Sequence, residues 1–327
     1  MTSIQDPSPE QLPPENDGGV DVTTAIETPA APGPASTDAG DLSEATTSGW
    51  KLTVREFMRN KPAVVGVGII IFFLLFSYVG PMVYHTDQID TNLLNTDLSP
   101  GGGAPLGTDD NGFDVLGRMM VGGQITMEIG LLSALIASVI GTLWGAIAGL
   151  LGGIVDAMMM RVVDVLLSIP FLLVVLIVAS KYGASVWSFS LILGVFSWLV
   201  PARLVRGEVL TLRVRDFVSA ARVMGGSKSH LIFRHLIPNA MGTVIVNITF
   251  QIADAMLALS SLGFLGFGLK YPVTDWGSQV ANAYQDLSNG YWWLVFPVGA
   301  ALVLVVMAFN LIGDGLRDAV DVRLRKR

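Results

Sequence analysis

The sequence predicts an all-α polytopic membrane protein with six transmembrane helices and both termini on the cytoplasmic side. Three observations carry that prediction. Of the 327 residues, 51% are hydrophobic and only 14% charged, against about 25% charged in ordinary soluble domains. The apolar residues gather into six stretches that approach or exceed the roughly 20 residues a bilayer crossing needs. With six spans, 17 of the 20 lysines and arginines fall on one face, which is how positive loop charge marks the cytoplasmic side.

Taken in order, residues 1–49 are rich in Pro, Thr, Ser, Ala, Asp and Glu, a composition that cannot bury enough apolar surface to offset its ordering entropy. This segment is expected to be a disordered acidic cytoplasmic tail. It also explains the net charge of −7: positions 1–50 hold nine acidic residues and no lysine or arginine, and the rest carries 18 acidic and 20 basic residues. Residues 50–124 supply the first span, at 62–84 behind Lys51, Arg55, Arg59 and Lys61, and a polar external segment. Residues 125–327 form the core, with spans expected at 125–150, 158–179, 186–202, 240–262 and 291–312. Pro170 should kink the third span. Only Arg118, Lys181 and Lys270 fall outside.

Between the fourth and fifth spans lies the stretch around which the chain is organised, 216–239, DFVSAARVMGGSKSHLIFRHLIPN. A short helix centred on Ala220 and Ala221 should break at Gly225 and Gly226, since glycine reaches left-handed angles without steric cost. A second short helix should start from Ser227 as N-cap and end at Pro238. The product is a knuckle carrying Arg222, Lys228, His230, Arg234 and His235.

This stretch resembles the EAA loop of ABC-importer permeases. Ala220, Ala221, Gly225 and Pro238 match the pattern, whereas its Glu is Ser219, its Ile is His235 and its Leu is Ile237. Three further stretches are similar to peptide and nickel importer permeases: LGTDDNGFDVLGR at 106–118, GFLGFGLKYPVTDWGS at 263–278 and NLIGDGLRDAVDVRLR at 310–325. On these four ordered motifs the chain is identified as a member of the second permease subunits of dipeptide, oligopeptide and nickel ABC importers.

The resemblance implies the type I importer permease fold in a bacterial cytoplasmic membrane. It also implies a homologous partner permease, two ABC ATPase subunits and an extracytoplasmic substrate-binding protein, with no role for nucleic acid. Ser219, Ala220, Ala221, Gly225, Gly226, His235 and Pro238 would couple to the ATPase, Ala220 and Ala221 pressing into its cleft. Asp109, Asp110, Phe113, Asp275 and Trp276 would form the outer gate or meet the binding protein. The substrate would be a peptide, with nickel or another small solute as the alternative.

ATP must be bound by partner subunits, because no GxxxxGK[ST] loop occurs; the nearest stretch, GGSKS at 225–229, lacks the glycine-rich turn. The chain has no cysteine, and His85, His230 and His235 are too dispersed to suggest a metal site. No paired carboxylates within spans suggest an enzyme, and no cofactor is implied. A secondary transporter would call for inverted repeats, which the two halves lack. Charged and amide side chains within spans are costly against lipid and should face protein or water. Arg161 and Asp164 are spaced to pair on one helix face. Asn247, Gln251 and Asp254 form one stripe on the fifth span, suited equally to lining a water-filled path and to hydrogen bonding between spans.

Overall fold

The computed structural model describes residues 49–325 apart from 102 and 184. Positions 1–48, nearly all of the expected tail, lie outside the described residues. Among the described residues the fold is built from helices, with two isolated β-bridges, Gly101↔Ala104 and Thr108↔Asp114, in the external segment.

Helix α1 (Gly49–Arg59) leads into α2 (Lys61–Tyr78), which starts where Asn60 accepts a hydrogen bond from the Ala63 amide and Pro62 sits in the first turn. A proline there removes an amide that had no helical partner. The next long helix, α3 (Val115–Leu151), is the hub. Its 37 residues span about 55 Å at 1.5 Å per residue, well beyond a hydrocarbon core of about 30 Å. It starts at Val115, where Asp114 accepts from the Gly117 amide at 2.7 Å, so the end of the expected external segment is already helical.

Two spans that read as continuous in the sequence are broken. The third divides into α4 (Gly153–Leu167) and α5 (Phe171–Tyr182), 77° apart across Ser168, Ile169 and Pro170. Pro170 therefore does more than kink the span: without an N–H it cannot continue the ladder, and the chain turns there. The fourth divides into α6 (Val186–Ser197) and α7 (Leu199–Leu212), 45° apart at Trp198. Helix α7 runs past the expected end at 202 and carries Arg203 and Arg206 on helix rather than loop. It packs on α3 by close backbone approach: a Cβ at Gly141, Gly145 or Gly149 would meet the carbonyl oxygens of Trp198, Ala202 and Arg206 in turn. Rows of small residues at a four-residue interval are a common way for membrane helices to touch.

The knuckle follows as α8 (Asp216–Val223). The fifth span is a single helix over Lys228–Phe264: a turn at Lys228–His230, a π-helical stretch at Leu231–Leu236, then α9 (Ile237–Phe264). The short helix expected to stop at Pro238 does not stop. The wider π turn opens the ladder immediately before the proline, which then occupies the first turn of α9, and the Asn239 side chain donates from Nδ2 to the His235 carbonyl at 2.6 Å. Beyond α9 comes the short α10 (Trp276–Ala283), and α11 (Phe296–Arg325) returns along α2. A Cβ at Gly66 of α2 would lie 2.8 Å from the Ala308 carbonyl oxygen. Four helices of the described chain are long and apolar enough to cross a bilayer, or up to six if each bent pair counts as one span.

Candidate functional site

The knuckle has an inner and an outer face. Val218 and Ala221 are buried among Ala146, Val205, Val209, Leu231, Ile232 and Leu236. The outer face presents Ala220 with Phe217, Val223 and Met224, the last two 88% and 81% exposed. Ala221, expected to press into the ATPase beside Ala220, instead packs inward, because the two lie about 100° apart around the helix and only one can face out. Ser219 and Pro238 are exposed, and His235 is half-buried with its ring against Phe217 and His230. Gly225 adopts φ +83° as expected. The Gly226 amide reaches back to the Ala221 carbonyl at 3.0 Å, closing the end of α8. Ser227 caps the next turn through the His230 amide.

The breaks in the third and fourth spans meet α9 at a cleft of about 870 Å³. Leu167, Pro170 and Phe171 come from one break and Ser197 and Trp198 from the other. Helix α9 contributes Asn247, Gln251 and Asp254, so the stripe seen in the sequence falls on one wall. Its members differ. Gln251 is buried and donates to the Ser197 carbonyl at 3.1 Å, satisfying a backbone oxygen at the end of α6, an interspan hydrogen bond. Asn247 Oδ1 is buried without a hydrogen-bond partner, and Asp254 is exposed into the cleft.

Two ion pairs join α4 to α7. Arg206 of α7 grips Asp156 of α4 through Nε at 2.5 Å and Nη2 at 2.7 Å, and Arg203 Nη2 bonds Asp164 at 2.5 Å. The expected Arg161–Asp164 pair is thus corrected: Asp164 turns to a guanidinium on the neighbouring helix, and Arg161 forms no ion pair among the described residues. The bond Asp164 accepts there is a short charge-assisted one. Sequence spacing could not find these pairs, whose members lie 50 and 39 positions apart. Arg213 adds a bond to the Gly149 carbonyl at 2.9 Å near the end of α3.

The external motifs form a clamp rather than an exposed docking surface. Phe113 is 1% exposed, and Trp276 and Asp275 are fully buried, so of their two expected roles, outer gate or contact with the binding protein, burial speaks against the contact. The Phe113 ring lies between the Arg118 guanidinium, 4.4 Å from its centroid, and the Tyr271 ring. Trp276 donates from Nε1 to the Met119 carbonyl at 2.9 Å and from its amide to Thr126 Oγ1 at 3.1 Å. Asp275 caps α10, accepting from the Ser278 amide and hydroxyl, and receives the Leu269 amide. Asp109 accepts from the Phe113 and Asn111 amides and faces Arg118 at 3.6 Å. Burial dominates at this pair, pushing the Asp109 carboxyl above its ordinary range and the Arg118 guanidinium below its own. Burial and a bond to Asp114 push the Tyr84 hydroxyl up to about 12, so it stays a donor. Of the five expected external contacts, Asp110 alone is exposed and Asp109 partly so. The sequence signal lost here was aromatic character, which marks a buried anchor as readily as an interface.

Trp276→Phe should accordingly destabilise the external clamp by about 1–3 kcal/mol, through loss of the Nε1 bond to the Met119 carbonyl and the space left by the smaller ring. Thermal unfolding in detergent, with proteolysis at 264–275 as a local probe, measures this; Asp110→Asn should leave both unchanged. Equal behaviour of the two variants would show that the tryptophan bond contributes nothing.

Residues 141–326 match the family model described as the binding-protein-dependent transport system inner membrane component. Residues 48–100 match that of the N-terminal TM domain of oligopeptide transport permease C. The chain is 37% identical over 296 residues to the oligopeptide transport system permease protein OppC of Bacillus subtilis (strain 168), covering 90% of this chain and 97% of that one. It is 37% identical over 278 residues to the OppC permease protein of Escherichia coli (strain K12), covering 84% and 92%. It is 35% identical over 272 residues to the dipeptide transport system permease protein DppC of Bacillus subtilis, covering 83% and 85%.

Proposed function

Because the chain belongs to the binding-protein-dependent transport system inner membrane components, we propose that it is the permease subunit of an ATP-driven importer that moves oligopeptides or dipeptides inward across the cytoplasmic membrane. Relatives named as oligopeptide and dipeptide permease proteins over most of their length support the peptide substrate. In this reading each bent helix pair is one span, giving six with both termini cytoplasmic. Residues 1–49 form a tail, 50–124 the first span and external segment, and 125–327 the core with its coupling loop at 216–239.

The observation that carries the mechanism is that the exposed face of α8 is joined by one tight turn at 224–227 to the helix Lys228–Phe264, which runs through the π turn to the wall of the cleft. ATP is bound and hydrolysed by two partner subunits, one of which seats on Phe217, Ala220, Val223 and Met224. Their closure moves α8 as a rigid body, and the helix pairs bent at Pro170 and Trp198 relay that movement to the cleft. The homologous partner permease completes the path through Asn247, Gln251 and Asp254. The binding protein delivers substrate from outside, where Asp109 and Asp110 remain reachable.

Reconstitution of the chain with its partner permease, the ATPase subunits and the binding protein in liposomes tests this. ATP-dependent accumulation of a labelled peptide is expected. Accumulation of nickel, with no uptake of di- to pentapeptides, would replace the peptide substrate with the metal.

A further inference from the structure

The acidic residues within the membrane helices are not alike. Glu128 accepts from the Tyr78 hydroxyl at 3.0 Å, Asp156 holds Arg206, and Asp164 holds Arg203. Among the described residues Asp254 has no such partner, and no lysine, arginine or histidine of them lines the cleft it faces. It lies about 15 Å along α9 from Phe264 at 1.5 Å per residue, too deep in a span for its carboxylate to reach the headgroup region. Before it on the same wall, one and two helical turns away, Gln251 spends its amide donor on Ser197, and Asn247 keeps a buried Oδ1 acceptor unused. The polar wall of the cleft therefore offers oxygen acceptors and one carboxylate, opposite surfaces of Leu, Pro, Phe and Trp.

A carboxylate that no cation of its own chain neutralises, in a cavity large enough for a solute, is costly to retain unless something positive visits it. We propose that Asp254 is a cation-recognition group of the translocation path. It attracts a protonated amine of the passing substrate, the α-ammonium of a peptide or the side chain of a basic residue, while the apolar wall tolerates varied side chains. This inference rests on the peptide reading above and adds that the membrane subunit, and not the binding protein alone, discriminates by charge.

The complex reconstituted with its own binding protein is loaded with three labelled peptides: one with a free amino terminus, its N-acetylated form, and a lysine-containing N-acetylated form. For each, uptake by Asp254→Asn is divided by uptake by the unaltered complex, so that the binding protein's own preference cancels. The ratio is expected to fall about fivefold or more for both amine-bearing peptides, the scale of one ion–ion contact near 4 Å in a hydrated site. It should stay near one for the N-acetylated neutral peptide, and Asp254→Glu should restore the first two. Equal ratios for all three peptides would overturn the proposal. So would loss of the partner permease from purified Asp254→Asn complex, which would make the carboxylate part of the seam between permeases. If the unaltered complex imports none of the peptides, the peptide reading itself fails and this inference with it.

Discussion

Val223→Asp on the knuckle is expected to release the ATPase subunits and abolish uptake while leaving the permease folded and inserted. Val223 is 88% exposed on the outer face of α8, so an aspartate there disturbs no packing within the chain. In the assembled importer the same position would lie in the centre of an apolar contact with Phe217, Ala220 and Met224. A buried unpaired carboxylate there acts like the loss of a central anchor, about 2 kcal/mol or more, which weakens docking about 30-fold or more. Ala220→Trp should act similarly by overpacking. Co-purification of the ATPase with tagged permease, together with peptide uptake, measures both, and retained docking in both variants would remove the coupling role from this face. Ala221→Trp separates the two faces. The sequence placed Ala221 at the docking surface, but at 5% exposed it packs against the chain's own core, so a tryptophan there should lower thermal stability as well as docking. Gly225→Val offers a further control. Nothing crowds a Cβ at that position, yet φ is +83°, and a β-branched residue resists that conformation at a cost of about 1–3 kcal/mol.

The reach of the sequence depended on whether the determining interaction was local. The left-handed turn at Gly225, the cap at Ser227 and the alignment of Asn247, Gln251 and Asp254 on one wall all follow from neighbouring residues or helical period, and all are present. The breaks were legible only in part. Pro170 announces a weak point, but whether a helix kinks or turns through 77° depends on its tertiary surroundings, and Pro170 lines the cleft. Pro238 misled for the converse reason: a π turn before it let the helix continue. The external motifs were recognisable as patterns, yet exposure is a tertiary property. Trp276 and Phe113 were expected at the outer gate or at a contact with the binding protein, and both are buried where they bind the segments around 106–118 and 263–278 to each other and to α3. Asp164 was paired with the cation nearest in sequence, and only the approach of α7 to α4 reveals the arginine it meets.

That approach leads to the second large effect. Helix α7 leads into the knuckle, and α4 ends at the break that forms one edge of the cleft, so the Arg206–Asp156 and Arg203–Asp164 pairs join the element that receives the push to the element that must move. The first pair is the firmer, with two short bonds and an Asp156 residue only 8% exposed; the second is about half exposed and correspondingly weak. Arg206→Ala or Asp156→Ala should each remove charged hydrogen bonds of about 1.5–3 kcal/mol and leave the other charge without its partner. If the pair transmits force, uptake falls by roughly 10- to 100-fold, while ATPase subunits still co-purify and still hydrolyse ATP, an uncoupled machine. The double variant should recover part of the stability lost by either single one, since it leaves no orphaned charge. It should not recover uptake, because the strut is still missing. Uptake restored along with stability in the double variant would assign the pair to folding alone, and transport unchanged in both single variants would remove it from the mechanism. Arg203→Ala, which breaks the exposed pair, should cost less than threefold and serves as the comparison within the same helix interface.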